Sequence, residues 1–216
     1  MTGHDESQRQ AFVIGNAAID EVFLVQDLPA LGESVLGRVG HTGLGGKGAN
    51  QAVALSRTGV PTTLVAAVGA DWHGQKIREL CSRENLNVVL LERRDLGTDR
   101  SIIFAGADGD NVIVTTHDCA DSITVAESIS ALKAARPGDA GLLQGKLRAE
   151  VTAASCREAD RCGLYLVLIP SPFDPAFRDL VPFADALFVN ESEARNLTGH
   201  SGRDAVEALL HLGASE

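Results

Sequence analysis

The residues best suited to chemistry lie in the stretch Gly43-Leu44-Gly45-Gly46-Lys47-Gly48-Ala49-Asn50-Gln51-Ala52. Four glycines within six residues leave a backbone with almost no Cβ atoms to hold a ligand away. Ala49, Ala52 and Val53 then fall at i, i+3 and i+4, so a helix starts here. A glycine turn opening a helix offers unpaired N–H groups and a positive dipole end, which suits an anion or a hydroxylated ligand. Lys47 adds a full charge at the same place, although a tight turn with a solvated lysine has the same local pattern. Two further polar sets stand at strand ends: Asp20, five residues after Gly15, and Asn190 followed three residues later by Glu193. A glutamate in a first helical turn suits the dipole in any case.

Two general readings of the glycine stretch can be weighed directly. A phosphate-cradling P-loop needs Gly-Lys followed by Ser or Thr, with a glycine five positions before the Gly. Gly48 follows Lys47 and His41 occupies the earlier position, so that reading fails. The dinucleotide pattern G-x-G-x-x-G is met by Gly43, Gly45 and Gly48, with Asp71 near the distance at which an acidic residue would hold a ribose. That fingerprint needs a buried strand just before its first glycine, and Val35–Thr42 carries Gly37, Arg38, Gly40 and His41 instead. A dinucleotide-binding domain therefore stays as the lesser alternative.

A third reading is a resemblance. Gly45-Gly46-Lys47-Gly48-Ala49-Asn50-Gln51-Ala52 resembles the first signature of the ribokinase-like (PfkB) carbohydrate kinases, and Gly15-Asn16-Ala17-Ala18-Ile19-Asp20 resembles the end of that family's first strand. The resemblance implies a ribokinase-like three-layer α/β sandwich with a mainly parallel sheet and a small β lid. It implies ATP-dependent phosphorylation of a sugar or nucleoside hydroxyl, with ATP and Mg²⁺ as cofactors. By the same resemblance Asp20, Gly45, Gly46, Lys47 and Asn50 bind the sugar, and Asn190 and Glu193 serve the ATP phosphates, Glu193 acting on the metal indirectly. Lids in related enzymes pair into dimers, so a homodimer through the lid is expected.

The likeness runs from Ala11 onward and stops short of the family's second signature, a G-A-G-D that supplies the catalytic aspartate; Asp185 and Asp204 lack its context. That aspartate is expected beyond Glu216. The chain is thus expected to be a fragment, incomplete at its C-terminus and impaired as a kinase, with a non-catalytic sugar-binding remnant as the alternative. Two departures bear on the sugar: Ala18 stands where ribokinases carry an asparagine, and Lys146 stands near the place of a glutamate.

Elements must position these residues. Strands are expected at Ala11–Ile14, Thr62–Val68, Val88–Leu91, Ala140–Leu143, Leu164–Ile169 and Ala186–Val189. Helices are expected at Ala49–Arg57, His73–Glu84, Val125–Ala135, Ala149–Arg161 and Ala205–Leu212, with another opening at Asn190; Asp71 can cap the second. This alternation gives an α/β domain over 11–216 after a flexible tail at 1–10. Lid segments are expected at about 20–43 and 98–118, the latter built on a hairpin at Asp108-Gly109.

Composition narrows the classes. Of 216 residues, 44% are apolar and 22% charged, as in globular proteins that bury a core. The formal net charge of −10, without a basic run, argues against nucleic acid. No apolar run approaches a membrane span and the start resembles no secretory signal, so a cytoplasmic protein is expected. Cys81, Cys119, Cys156 and Cys162 form no C-x-x-C pair and read as reduced thiols.

Overall fold

A computed structural model describes residues 9–215. In chain order the strands are β1 (Ala11–Ile14), β2 (Ala18–Val25), β3 (Gly37–Gly45), β4 (Thr62–Gly69), β5 (Asn87–Arg93), β6 (Arg100–Ala105), β7 (Asn111–Thr115), β8 (Ala140–Gln144), β9 (Tyr165–Ile169) and β10 (Ala186–Leu187). The helices are α1 (Lys47–Arg57), α2 (Trp72–Ser82), α3 (Asp118–Asp121), α4 (Val125–Ala131), α5 (Ala149–Arg161), α6 (Glu191–Thr198) and α7 (Gly202–His211).

Six strands form one parallel sheet in the order β10-β9-β8-β1-β4-β5. Each of its two faces carries an apolar core. Val13, Leu64, Ala66 and Val68 meet Ala49, Ala52, Ile77 and Cys81 of α1 and α2 on one side. Phe12, Ile14, Val65 and Ala67 meet Cys119, Val151, Cys156, Leu197 and Leu209 of the later helices on the other. Successive strand residues point to opposite faces, which is why near-continuous apolar strands feed both cores. The result is the three-layer α/β sandwich with a mainly parallel sheet that the sequence led us to expect.

The second sheet is mixed and four-stranded, in the order β3-β2-β6-β7. Two segments distant in sequence build it: β2 and β6 pair in parallel, Ile19 opposite Arg100, while β3 and β7 add antiparallel edges. Ile19 of β2 joins the core formed with α1 and α2, and polar contacts add to that attachment. The Thr98 amide and hydroxyl donate to the Asp71 carboxylate at 2.8 and 2.6 Å, and the Gly69 amide donates to the Thr98 hydroxyl. Asp71 also accepts from the Gly74 amide at 2.8 Å as the N-cap of α2. Burial works against the Asp71 charge, but these donors outweigh it and hold the carboxyl below its ordinary value. The Arg100 guanidinium donates to Glu21 at 2.6 Å, and His73 of α2 stands 3.6 Å from the same carboxylate.

Several boundaries differ from the sequence reading. The helix expected over Val125–Ala135 ends at Ala131 and tightens into a 3-10 turn through Ala134, three residues before Pro137, which has no backbone N–H to donate. The last strand covers only Ala186–Leu187 rather than Ala186–Val189, its pairing with β9 being limited to Ala186 opposite Val167 and Leu187 opposite Leu168. Two elements had no counterpart in the reading: the short α3 and a 3-10 stretch at Pro175–Phe183, whose Asp174 side chain accepts from the Ala176 amide. An Asp-Pro start was its available signal. Of the polar start, residues 1–8 lie outside the described ones, and the Gln10 amide already donates to Asp139.

Candidate functional site

In the parallel sheet the order reverses around β1: β4 and β5 lie on one side, β8, β9 and β10 on the other. Ligands of open α/β sheets bind at the carboxyl ends of strands beside such a reversal. The last residue of β8 and the loops leaving β1, β9 and β10 carry Gln144, Asn16, Ser171 and Asn190 to that edge.

The glycine stretch is folded in two parts. Gly43 and Gly45 end β3, and Gly46, with φ 91°, is the N-cap of α1. Gly48 is pressed onto β1: a Cβ there would lie 2.8 Å from the Asn16 carbonyl oxygen and 2.9 Å from the Asn16 nitrogen and Gly15 Cα. Close backbone approach therefore demands glycine. The Gly48 amide donates to Asn16 Oδ1 at 3.2 Å and the Ala49 amide to the Asn16 carbonyl at 3.0 Å. This corrects the expectation of a row of unpaired helix N–H groups. Asn16 takes two of them, so the loop's capacity for a ligand rests on the Gly45–Gly46 backbone and on side chains.

Those side chains fall into two groups. On the first, Asp20 of β2 pairs with Gly43 of β3, so its carboxylate lies on the glycine face of that strand. A Cβ on Gly45 would overlap the carboxylate carbon and both oxygens, so the missing side chain is the space that Asp20 occupies. Asp20 Oδ1 is buried and has no hydrogen-bond partner among the described residues. His41, on the same face of β3, lies over Gly43 in the same manner. A buried acceptor without a donor is costly, and a ligand hydroxyl is the ordinary remedy.

The second group lines an open cleft of about 460 Å³. Lys47, Asn50 and Gln51 stand at i, i+3 and i+4, so α1 turns one polar face to this cleft and its Ala49–Ala52 face to the core. Ile169 and Ser171 from the end of β9 and Asn190 and Glu193 from the start of α6 form the other wall. Asn190 and Glu193 form a reciprocal capping box: Asn190 Oδ1 accepts from the Glu193 amide at 2.8 Å, and Glu193 Oε2 accepts from the Asn190 amide at 2.9 Å. The N-x-x-E spacing thus has a structural use of its own. Lys47, Asn50, Asn190 and Glu193 come together in one cleft, whereas Asp20, Gly45 and Gly46 sit at the turn beside it and do not line it.

Sequence reasoning missed three site neighbours. Asn16 and Ser171 are polar residues at strand ends, a signal that was present. Gln144 is fully buried, with its Nε2 donating to Gln51 Oε1 at 3.2 Å; no local pattern marks it. A Cβ on Gly15 would overlap the Gln144 amide, so this side chain lies across β1.

The dinucleotide alternative does not survive the geometry. The strand before Gly43, Gly45 and Gly48 is the exposed antiparallel β3 of the small sheet, not a buried parallel strand. Asp71 is consumed as the cap of α2 and as the anchor of Thr98.

Comparison with known proteins agrees with this arrangement. A model of the pfkB family of carbohydrate kinases matches residues 8–215. A ribokinase from Bacillus subtilis is 32% identical over 189 residues, covering 86% of this chain and 64% of the relative. A Mus musculus ribokinase is 28% identical over 209 residues, covering 94% of this chain and again 64% of the relative. The chain therefore spans just under two thirds of the length of these curated relatives. Among solved structures, Arabidopsis thaliana ribokinase complexed with ribose and ATP has a TM-score of 0.83 at 24% identity, covering 95% of this chain and 70% of that one. A Cryptococcus neoformans ribokinase in complex with ADP has a TM-score of 0.76 at 27% identity, with the same coverage. With its parallel core, its four-stranded side sheet and its glycine turn at the sheet reversal, the chain belongs to the pfkB family of carbohydrate kinases.

Proposed function

We propose that this chain holds the sugar-binding part and one phosphate-facing wall of a kinase that transfers the γ-phosphoryl group of ATP to a sugar or nucleoside hydroxyl. The observation that carries the reading is Asp20, whose buried, unpartnered Oδ1 lies over Gly45 at the turn leading into the cleft. Asp20 accepts hydrogen bonds from sugar hydroxyls, the Gly45–Gly46 backbone lets the ring approach, and Asn50 offers both donor and acceptor. Lys47 directs a positive charge into the cleft shared with Asn190 and Glu193. The small sheet excludes water from the sugar and so limits idle hydrolysis.

ATP, when bound here, would supply the phosphoryl group, and Mg²⁺ would offset the charge of its phosphates. The residues suit this pair. Among the described residues no group of three or more His, Cys, Asp or Glu side chains forms a metal cage. Mg²⁺ keeps most of its water and is commonly held through phosphate oxygens and one or two carboxylates. Glu193, whose Oε2 accepts from the Asn190 amide, would be the carboxylate of this cleft to hold such a hydrated ion. In phosphoryl transfer most of the catalysis is positioning and charge stabilisation, and these residues provide both for the acceptor side.

The 216 residues contain no G-A-G-D sequence. That favours, as a second reading, sugar capture without turnover by the chain as it stands. The test is a thermal-shift and calorimetric screen of the chain with pentoses, hexoses, nucleosides, Mg²⁺–ATP and NAD. Binding of one sugar that Asp20→Ala abolishes is the expected result; a sugar-insensitive melt would refute the sugar pocket. Phosphorylated product in the same mixture separates the two readings.

The small sheet also supports a proposed homodimer. Among the described residues its outer strands β3 and β7 are sheet edges, with exposed Leu36 nearby and Val39, Ile113 and Val114 within them. Such edges gain by being covered. Light scattering after size exclusion is expected to give twice the chain mass, and a monomer at high concentration would refute it.

A further inference from the structure

One contact joins the two walls of the cleft: Lys47 Nζ donates to Ser171 Oγ at 2.5 Å, across 124 residues of sequence. We propose that Ser171 is a positioning residue that holds the Lys47 ammonium over the cleft, facing the Asn190–Glu193 turn, for the phosphates of a nucleotide. The proposal rests on the carbohydrate-kinase reading of this cleft and adds to it a residue with no place in the glycine signature.

Three features make Ser171 a rigid support rather than an incidental neighbour. Proline stands on both sides of it, so Pro170 and Pro172 each lock one φ of the arch. The Ser171 amide donates back to the Ile169 carbonyl at 2.7 Å, closing a tight turn at the end of β9. The arch is seated on the turn after β8, where a Cβ on Gly145 would lie 3.0 Å from the Ser171 carbonyl carbon and would overlap the Pro172 oxygen. A hydroxyl carried on such an arch has little freedom left.

Lys47 needs that support. It is an exposed lysine, and a free lysine side chain carries about 2 kcal/mol of rotamer entropy. An ammonium has three donors. One is used on Ser171, which leaves two for a ligand in the cleft that Lys47 lines with Asn50, Asn190 and Glu193. The long side chain is ordered before a ligand arrives, and preorganisation of this kind strengthens binding without adding a contact. The charge also lies on the phosphate side of the turn, while Asp20 serves the sugar side.

The experiment measures calorimetric binding of Mg²⁺–ATP and of inorganic tripolyphosphate to the 216-residue chain, alongside the sugar found in the screen. Ser171→Ala, Ser171→Thr and Lys47→Met are compared singly, and Ser171→Ala is repeated on the Lys47→Met background. Because the contact is solvent-exposed, Ser171→Ala is expected to weaken triphosphate binding by only about 3–10-fold. Sugar affinity should change less than about twofold, since a hydroxyl acting through Lys47 touches only the phosphate side. Ser171→Thr, which keeps the hydroxyl, should restore affinity, and on the Lys47→Met background Ser171→Ala should add nothing.

The inference is overturned by an unchanged triphosphate affinity in Ser171→Ala. A loss that persists without Lys47, or an equal loss for sugar and triphosphate that marks general loosening, overturns it as well. Triphosphate binding absent from the parent while Asp20-dependent sugar binding is intact sinks the inference and leaves the sugar reading. Coupled triphosphate effects without sugar binding support the inference and sink the sugar reading. Binding of neither overturns both.

Discussion

Gly45→Ala is the most searching perturbation of the sugar turn, because it adds one methyl group and removes nothing. Gly45 is not among the residues at positive φ, so alanine fits its backbone without strain. Its Cβ would nevertheless fall on the Asp20 carboxylate, far inside the about 3.5–4.0 Å of ordinary contact. Asp20 is short, so its carboxylate can only rotate away from the turn. That rotation costs about 0.5–1.5 kcal/mol in side-chain strain, or a few degrees in Tm for a chain of this length. The ligand loses more: a hydrogen bond to an ionised group contributes about 1.5–3 kcal/mol, roughly 10–150-fold in Kd. Gly45→Ala should therefore resemble Asp20→Ala in sugar titrations by calorimetry while melting within a few degrees of the parent. The double variant should bind no more weakly than Asp20→Ala, since both act through one carboxylate. A Gly45→Ala chain that binds sugar within twofold of the parent, while Asp20→Ala does not, would refute the steric reasoning.

Three further outcomes follow from the same geometry. Gly48→Ala meets only backbone atoms of Gly15 and Asn16, which cannot swing aside, so chemical denaturation should show about 1–3 kcal/mol of lost stability; an unchanged midpoint would contradict the close packing of α1 on β1. Asp71→Ala removes the cap of α2 and the anchor of Thr98, and should cost about 1–2 kcal/mol at neutral pH. Because the folded carboxyl lies below its ordinary value, this contribution is present above the unfolded pKa of about 3.9 and disappears as pH falls through the folded value. The Tm gap between parent and Asp71→Ala should accordingly close in acid, and a gap constant from pH 7 to pH 3 would refute the assignment. Burial raises the thiols of Cys81 and Cys119 to about 11 and of Cys156 to about 12, so a thiol reagent at pH 8 should label the partly exposed Cys162 first in the native chain; prompt labelling of all four would show the cores open.

Legibility varied along the chain for identifiable reasons. The helix at Ala149–Arg161 was readable to the residue because its apolar face repeats with helical period and polar residues flank it. The 3-10 stretch at Pro175–Phe183 was not, since its period is neither that of a helix nor of a strand, and Asp174-Pro175 was its one local mark. The Asn190–Glu193 spacing was legible but carries two meanings, a capping box and a cleft wall, and local sequence does not separate them.

What the sequence determined by itself was local: which runs alternate or repeat, where glycine frees the backbone, and which polar residues end strands. From these came the α/β class, the glycine turn and the family likeness. Tertiary structure alone decided which of those residues meet. Asn16 takes the Gly48 and Ala49 amides that the sequence left open, because β1 lies directly beneath α1. The space over Gly45 belongs to Asp20 because β2 pairs with β3 in that register. Lys47 meets Ser171 and faces Asn190 because the strand order brings the ends of β1, β9 and β10 to one side of the sheet reversal. Periodicity reports the face on which a residue lies, whereas the partner across a cleft depends on sheet order and register, which are set by packing of the whole chain.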